Sequence, residues 1–256
     1  MKKFGKIFIF SVLSLFLLAF TASAATIDLT GTIRDFNDTH PDFEYTIADD
    51  RGIVETTLGT DGKPVYASAT TTTTTNGKEC FDQWYRDVAG VNLSTPHTIT
   101  LDNTITTDPA VYTYANSSFF PIDGELLGNQ NRIHNYHFTY EIHTQFTYQG
   151  GEGIEFAFTG DDDLWLFLND TLVIDLGGVH GAETASVNLD AIASAAGMIS
   201  GNTYDFDLFF AERHTTESNF RIDTSIELQP TPTPEPATLL LIGLGILGLA
   251  CLRRKE

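Results

Sequence analysis

The strongest constraint on the fold of this 256-residue chain is a period-two alternation of apolar and polar residues in its second half. It runs from Phe138 to Tyr148 and stops at Gly150-Gly151, and it returns at 204–210 and 220–228. Successive side chains of a β-strand point to opposite faces, so this spacing predicts strands with one buried and one solvated face. The second half therefore favours an antiparallel β-sandwich.

A second signal comes from "LWLFL" at 164–168, which is apolar on both faces and predicts a central strand. Asn169-Asp170 follows, and both residue types tolerate positive φ, so we expect a tight hairpin back along "TLVIDL". Only two short helices are predicted, near 80–88 and 189–198. The Thr run at 70–75 is interpreted as an exposed strand or loop. The predicted class is all-β.

The N-terminal residues 1–24 are typical of a signal peptide. Lys2, Lys3 and Lys6 precede an apolar run from Ile7 to Phe20, and small residues precede a predicted signal-peptidase cut after Ala24. The alternative is an uncleaved membrane anchor. The short apolar core and the small-residue exit favour cleavage.

The C-terminal end predicts a second processing segment. A Pro/Thr linker at 230–236 ends in Pro234, Glu235 and Pro236. Residues 237–256 then combine an apolar run with Arg253, Arg254 and Lys255, which predicts a transmembrane helix with a basic cytoplasmic tail. The apolar run is short against the roughly 20 residues that a full span needs.

Charge limits the partners of the region between these ends. Residues 25–233 contain 8 of the 14 basic residues and 32 of the 34 acidic ones, a net charge of −24. Such a region disfavours nucleic acid, because phosphate binding needs Lys and Arg. It suits divalent cations and neutral ligands. Cys80 is the one cysteine in this region, so no internal disulfide can form there.

Five stretches then carry a family resemblance: "RDFNDTHPDFE", "FDQWYRDVAGVN", "FFPIDGELLGNQ", "FTGDDDLWLFLNDTLVIDLGGVHG" and "FFAERHTTESNFRI". Together they resemble the fibro-slime domain of the PA14 superfamily, which implies a β-sandwich domain over 25–229. The Pro-Glu-Pro, the apolar run and the Arg cluster resemble a PEP-CTERM sorting signal. That resemblance implies a Gram-negative bacterium, recognition by an exosortase, and delivery to the cell envelope, cell surface or extracellular matrix.

The resemblance also implies a calcium site. In several yeast adhesins of this superfamily, two adjacent aspartates joined by a cis peptide hold the ion, a loop asparagine assists, and sugar hydroxyls complete the shell. Carried over, the pair is Asp161 and Asp162, and the asparagine is Asn219. Asp163 leaves open a register shifted by one residue. The spacing is not that of an EF-hand, because the twelfth position counted from Asp161 is Leu172 rather than Glu.

Other polar residues are candidates for ligand contact at the same end of the sandwich: Asp163, His180, Arg213 and His214. A zinc site is disfavoured, since His137 and His143 stand about 20 Å apart on one strand. Hydrogen bonding within the fold is the interpretation for the histidines. Trp165 and Phe167 are interpreted as core rather than as sugar-stacking residues.

Three functional classes remain to be compared. The preferred prediction is an exported binding protein whose domain holds calcium and binds carbohydrate or exopolysaccharide, in adhesion or a biofilm. The alternative is a structural matrix protein that self-associates and binds no sugar. An enzyme is not predicted, because G-x-S-x-G, H-E-x-x-H and phosphate-loop motifs do not occur in the chain.

Overall fold

The computed structural model describes residues 25–231, and almost all regular structure in them is β-strand. The twelve strands are β1 Thr26–Phe36, β2 Ala48–Asp49, β3 Asn92–Asp102, β4 Tyr112–Asn116, β5 Phe138–Thr147, β6 Glu155–Gly160, β7 Asp163–Leu168, β8 Thr171–Leu176, β9 Gly178–Val179, β10 Glu183–Asn188, β11 Thr203–Glu212 and β12 Phe220–Thr224. The two helices are α1 Lys78–Phe81 and α2 Leu189–Ile192. The predicted all-β class is confirmed.

Ten of these strands form one sheet in the order β10-β6-β12-β4-β3-β1-β5-β11-β7-β8, and β2 pairs with β9. Neighbouring strands are antiparallel. The edge strands β8 and β10 also contact each other, so the sheet curves round until its two ends meet. The result is a closed, sandwich-like shell around one core.

The core shows why the alternation was so regular. Alternate residues of β5 and β11, such as Phe146, Phe206 and Phe210, point inward and are fully buried among aromatic side chains from β6 and β12. Ring contacts such as Phe119–Phe220, with centroids 4.7 Å apart, add to the area buried. Burial of one strand face thus fixes the register of the central strands.

Strand β7 is buried on both faces, as predicted from "LWLFL". Leu164, Leu166 and Leu168 join the main core. Trp165 and Phe167 point the other way into a second apolar cluster, built with Phe81 and Trp84 from the segment around α1. The prediction that these two aromatic residues are core is confirmed.

Several local predictions differ in extent from the structure. The hairpin at Asn169 and Asp170 is present, with φ of 50° and 61°. Both predicted helices exist but last about one turn. Strand β12 ends at Thr224, and Leu228 makes only an isolated bridge to Phe146. The Thr run is a loop, and Thr70, Thr71 and Thr73 are exposed as predicted. Its last two residues, Thr74 and Thr75, are fully buried, so the predicted exposure was wrong there.

Among residues 25–231, no helix has the length and apolar composition to cross a membrane. The predicted signal peptide at 1–24 and the predicted transmembrane helix at 237–256 lie outside the described residues. So do the sorting-motif residues Pro234, Glu235, Pro236, Arg253 and Arg254.

Candidate functional site

The three consecutive aspartates lie where β6 gives way to β7, at one end of the shell. The Asp161–Asp162 peptide bond is cis, which is the pair that the family resemblance implied. The Asp161 amide donates to the carbonyl of Asn219, and the Asp162 amide donates to the carbonyl of Ala211. The two aspartates are therefore tied to different neighbouring segments, one before β12 and one in β11.

Asn219 is next to Asp161, as the sequence predicted. Its backbone amide donates to Asp161 Oδ1 at 2.6 Å, and its side-chain Nδ2 donates to Asp161 Oδ2 at 2.8 Å. On the other side of the pair, the Arg213 amide donates to Asp162 Oδ2 at 3.0 Å. The segment 213–219 thus connects the two carboxylates. Its first residue, Arg213, holds Asp162, and its last residue, Asn219, holds Asp161.

Asp163 turns away from its neighbours and pairs with Arg213. Arg213 Nε lies 2.6 Å from Asp163 Oδ2 and Nη2 lies 3.0 Å from Oδ1, and both side chains are completely buried. The Gly178 amide donates to the same carboxylate. The sequence led us to expect direct ligand contact by Asp163 and Arg213, and their complete burial does not fit that expectation. The Asp163 side chain points to the interior of the protein, beneath Asp161 and Asp162.

The Thr run supplies the support for this ion pair. Arg213 Nη1 donates to the Thr74 carbonyl at 2.7 Å, and Nη2 donates to the Thr74 hydroxyl. The Trp84 ring covers the guanidinium at 4.6 Å. Asp50 in turn accepts the Thr72 and Thr74 hydroxyls. A segment that looked like low-complexity surface is therefore part of the framework under the site.

A cleft of about 260 Å³, called cleft A here, opens above the two aspartates. Its walls include Asp161, Asp162, His180, His214 and Glu217, with the exposed side chain of Ile47 at the rim. His180 and His214, both predicted as candidates, are brought to this cleft. His180 Nδ1 is 2.9 Å from the Gly181 carbonyl, and His214 Nε2 is 3.5 Å from Glu44.

The electrostatics of cleft A disfavour ionisation of both Asp161 and Asp162. Burial raises the pKa of Asp161, and the hydrogen bonds from Asn219 oppose that shift. Burial also raises the pKa of Asp162 well above its usual range; the Arg213 charge opposes this shift, whereas the neighbouring Asp163 and Asp161 carboxylates add to it. A positive charge in the cleft would stabilise the ionised forms of both residues.

Glu212 is a buried acid that the sequence did not single out. It is fully buried, and neither carboxyl oxygen makes a hydrogen bond of normal geometry. Burial raises its pKa well above the usual range, with Asp162 and Asp161 adding to the shift, while the Ser218 hydroxyl and the His214 amide partly oppose it. Glu212 shares the inward face of β11 with Phe206 and Phe210, so the apolar and polar alternation of this strand could have predicted its burial.

The donor set fits a hard cation with open coordination positions. No three His, Cys, Asp or Glu side chains within 25–231 converge as a metal-binding group. Cleft A offers the carboxylates of Asp161 and Asp162. Asn219 does not line this cleft, but its carboxamide is hydrogen bonded to Asp161. Calcium takes about 6–8 oxygen ligands, so other oxygens would have to complete its shell.

Comparison with known proteins agrees with this fold. Residues 120–236 match the PA14 domain, and residues 232–255 match the PEP-CTERM protein-sorting motif. In the structure, β1, β3 and β4, which precede the matched PA14 region, belong to the same ten-stranded sheet as the strands within it.

Curated relatives occur in Dictyostelium discoideum. Protein psiQ is 44% identical over 191 residues, which cover 70% of this chain and 19% of that protein. Protein psiJ is 42% identical over 228 residues, covering 77% of this chain and 30% of the relative. Protein psiC is 37% identical over 222 residues, covering 80% and 42%. The chain thus spans between about a fifth and about two fifths of these relatives.

Two solved structures are similar at a low level. The PA14 sugar-binding domain from an RTX adhesin has 13% identity and a TM-score of 0.32, covering 80% of this chain and 95% of that one. The PA14 domain of the MpAFP antifreeze protein has 11% identity and a TM-score of 0.29, covering 51% and 81%.

The all-β shell and the matched region define a PA14-class domain. A PA14 domain at 120–236 and a PEP-CTERM sorting motif at 232–255 are found in the chain, which confirms the predicted resemblance. The sorting motif indicates an exported protein.

Proposed function

We propose that this is an exported surface or matrix protein whose PA14 domain holds calcium in cleft A and uses the ion to bind carbohydrate. Asp161, Asp162 and Asn219 are the proposed protein ligands. The observation that carries the proposal is the pair of consecutive, desolvated carboxylates at the floor of an open cleft, with the Asn219 side chain hydrogen bonded to one of them.

The incomplete donor set supports carbohydrate as the ligand. Because the protein offers two carboxylates and an amide, an ion there keeps coordination positions for outside oxygens. Neighbouring hydroxyls of a sugar can supply two such oxygens at once. The surrounding carboxylates disfavour anionic ligands and favour a neutral sugar.

The proposed biological setting follows from the sorting motif. We assign the protein to the envelope or matrix of a Gram-negative bacterium, with signal peptidase and an exosortase as processing partners and an exopolysaccharide as the bound glycan. The predicted membrane helix would hold it during sorting. The proposed role is adhesive or biofilm-associated.

A binding role fits cleft A better than a glycosidase role. A glycosidase places two carboxyl groups about 5–9.5 Å apart on either side of a scissile bond. Asp161 and Asp162 are instead consecutive, and each already accepts a hydrogen bond from the backbone of the 213–219 segment. Both carboxylates are held in place as a unit, which suits ion coordination.

The test is calcium titration of the chelator-treated protein by calorimetry and thermal unfolding. We expect saturable binding of about one ion and a higher unfolding temperature with calcium. Asp161→Asn and Asp162→Asn should lose both effects. Asp162→Asn can still accept from the Arg213 amide, whereas Asp161→Asn keeps only one of the two hydrogen bonds from Asn219. Glu152→Gln removes one exposed acid elsewhere and is the matched control. An unchanged melting temperature at millimolar calcium would refute the ion site.

The carbohydrate part needs a separate measurement. A glycan array with calcium, repeated with chelator, should show binding that requires the ion. Calcium binding without any glycan signal, together with concentration-dependent oligomers in sedimentation, would instead support the self-associating matrix protein.

A further inference from the structure

A second and larger cleft lies on the other side of the loop 214–219. This cleft, called cleft B here, has a volume of about 460 Å³. Thr216 and Glu217 line both clefts, and the candidate calcium ligand Asn219 lines cleft B. The two clefts are therefore adjacent, with Thr216 and Glu217 shared between their linings.

Part of the lining of cleft B is aromatic. The rings of Phe120 and His134 stack with centroids 4.0 Å apart and an interplanar angle of 2°. Tyr136 packs edge-on against Phe120 at 4.9 Å. His134 Nδ1 lies 2.6 Å from Asp123 Oδ2, which fixes the orientation of its ring. Ile133 beside it is 83% exposed, the most exposed large apolar residue within 25–231.

The lining of cleft B also includes polar residues, among them Ser118, Glu217 and Asn219. A pyranose unit has the matching character, because its C–H face packs on apolar rings while its hydroxyls hydrogen bond at the edges. The carboxylate of Glu217 disfavours an anionic sugar at this position. Small-molecule sites are usually lined by apolar and aromatic side chains together with a few polar groups.

We propose that cleft B is a second saccharide subsite, which takes the neighbouring unit of a neutral oligosaccharide whose first unit is held at the ion in cleft A. This inference rests on the proposed function. It adds that the protein selects for chain length, and it assigns Phe120, Ile133 and His134 to that selection. Glu217 selects against uronic acids at the same place.

The test compares oligosaccharides of one to four units in the glucose, N-acetylglucosamine and mannose series, with calcium present, by calorimetry on the purified full chain. In the series that binds, we expect affinity to rise about tenfold from one unit to two or three and then to level off. Ile133→Ser and Phe120→Ala should remove most of that gain. Calcium affinity and monosaccharide affinity should stay at wild-type values.

Ile199→Ser is the matched control. Ile199 is 66% exposed and lies just before β11 begins, far from both clefts. The variant should keep the full gain with chain length. Because Ile133 contributes little to the core, Ile133→Ser should fold normally. It therefore tests the role of cleft B even where Phe120→Ala fails to fold.

The outcomes separate the two proposals. Monosaccharide binding with no gain from longer chains, or a gain that survives in both cleft B variants, would overturn the second subsite and leave the calcium site standing. Calcium binding with no saccharide binding in any series would overturn the subsite together with the carbohydrate part of the proposed function.

Discussion

Arg213 and Asp163 form a double ion pair with both side chains fully buried, directly beneath the two aspartates of cleft A. Arg213 also uses its backbone amide to hold Asp162. Burial alone would lower the pKa of Arg213, but the Asp163 carboxylate raises it, so the guanidinium stays charged. One residue thus connects the interior framework with the floor of the cleft.

Breaking this pair should be costly. Arg213→Met leaves Asp163 buried and uncompensated, and we expect a loss of about 3–5 kcal/mol in the free energy of unfolding. Urea denaturation measures it. Arg213→Met with Asp163→Asn should recover part of the loss. The control is Arg221→Met, because Arg221 pairs with Asp223 at the surface and should cost under about 1 kcal/mol. Equal losses in both variants would contradict this role.

Gly160 allows the close approach of β6 to Asn219. A Cβ at this position would lie 2.3 Å from the Asn219 carbonyl oxygen, and backbone there cannot move away cheaply. We expect Gly160→Ala to cost about 1–3 kcal/mol in stability and to weaken calcium binding by displacing Asn219.

Gly181→Ala tests that explanation, since a Cβ at Gly181 meets nothing within 4 Å. Its stability should change by no more than about 0.5 kcal/mol. A Gly160→Ala protein with normal melting temperature and normal calcium affinity would show that the contact is unimportant.

A charged cluster on the outer face of β5 and β11 should make stability depend on pH. Glu141 accepts from Arg34 and Lys63, and His143 contacts both Glu141 and Asp207. Burial would raise the pKa of Glu141, but hydrogen bonding with His143 and the charge of Arg34 lower it to about 2. Burial and Lys63 would lower the pKa of His143, but Asp207 and Glu141 raise it to about 9.

The sign of each effect follows from linkage. The contribution of Glu141 is complete above its unfolded pKa of 4.5 and is lost as pH falls toward 2. The contribution of His143 is complete below 6.5 and is lost as pH rises toward 9. These two groups therefore favour pH 4.5 to 6.5. Because the His143 side chain is 40% exposed, solvent screens its pairs and its share should stay under about 1 kcal/mol.

Denaturant unfolding at several pH values measures this dependence. His143→Gln should flatten the loss of stability between pH 6.5 and 9. It should also reduce the acid limb, because the hydrogen bond with His143 helps to lower the pKa of Glu141. An alkaline slope that is the same in this variant and in the wild type would assign the loss to other groups.

The hairpin between β7 and β8 offers a test of local backbone preference. Asp170 is exposed and has a φ of 61°. Asp170→Val should lower stability by about 1–2 kcal/mol, because a β-branched residue is disfavoured in left-handed backbone. Asp170→Gly should keep or increase stability, since Asn-Gly suits this turn. Equal melting temperatures for the two variants would contradict the expectation.

The sequence predicted the features that depend on local pattern. The alternation of apolar and polar residues predicted β5, β11 and β12. The apolar run at 164–168 predicted a strand buried on both faces, and Asn169-Asp170 predicted the hairpin. Family resemblance led to Asp161, Asp162 and Asn219, which the structure brings together.

What the sequence missed depends on contacts between distant segments. Thr74 lies about 140 positions before Arg213, and nothing in a run of threonines shows which of them is buried. Asp163 looked like a third ligand because its pairing with Arg213 depends on how β7 and β11 are aligned. Cleft B joins residues from around 120, 134 and 217, so no single motif could have predicted it.

The last described residues leave the shell at a definite place. The amides of Gln229 and Thr231 donate to the carbonyls of Gln145 and Asp28, which places this segment between the far ends of β5 and β1. Asp161 and Asp162 lie at the other end, where β11 reaches Glu212 beside Phe138. Ten residues of strand separate the two ends, a distance of about 30 Å. An attachment of the protein through residues beyond 231 would therefore lie at the end of the shell opposite cleft A and cleft B, and both clefts would face away from it.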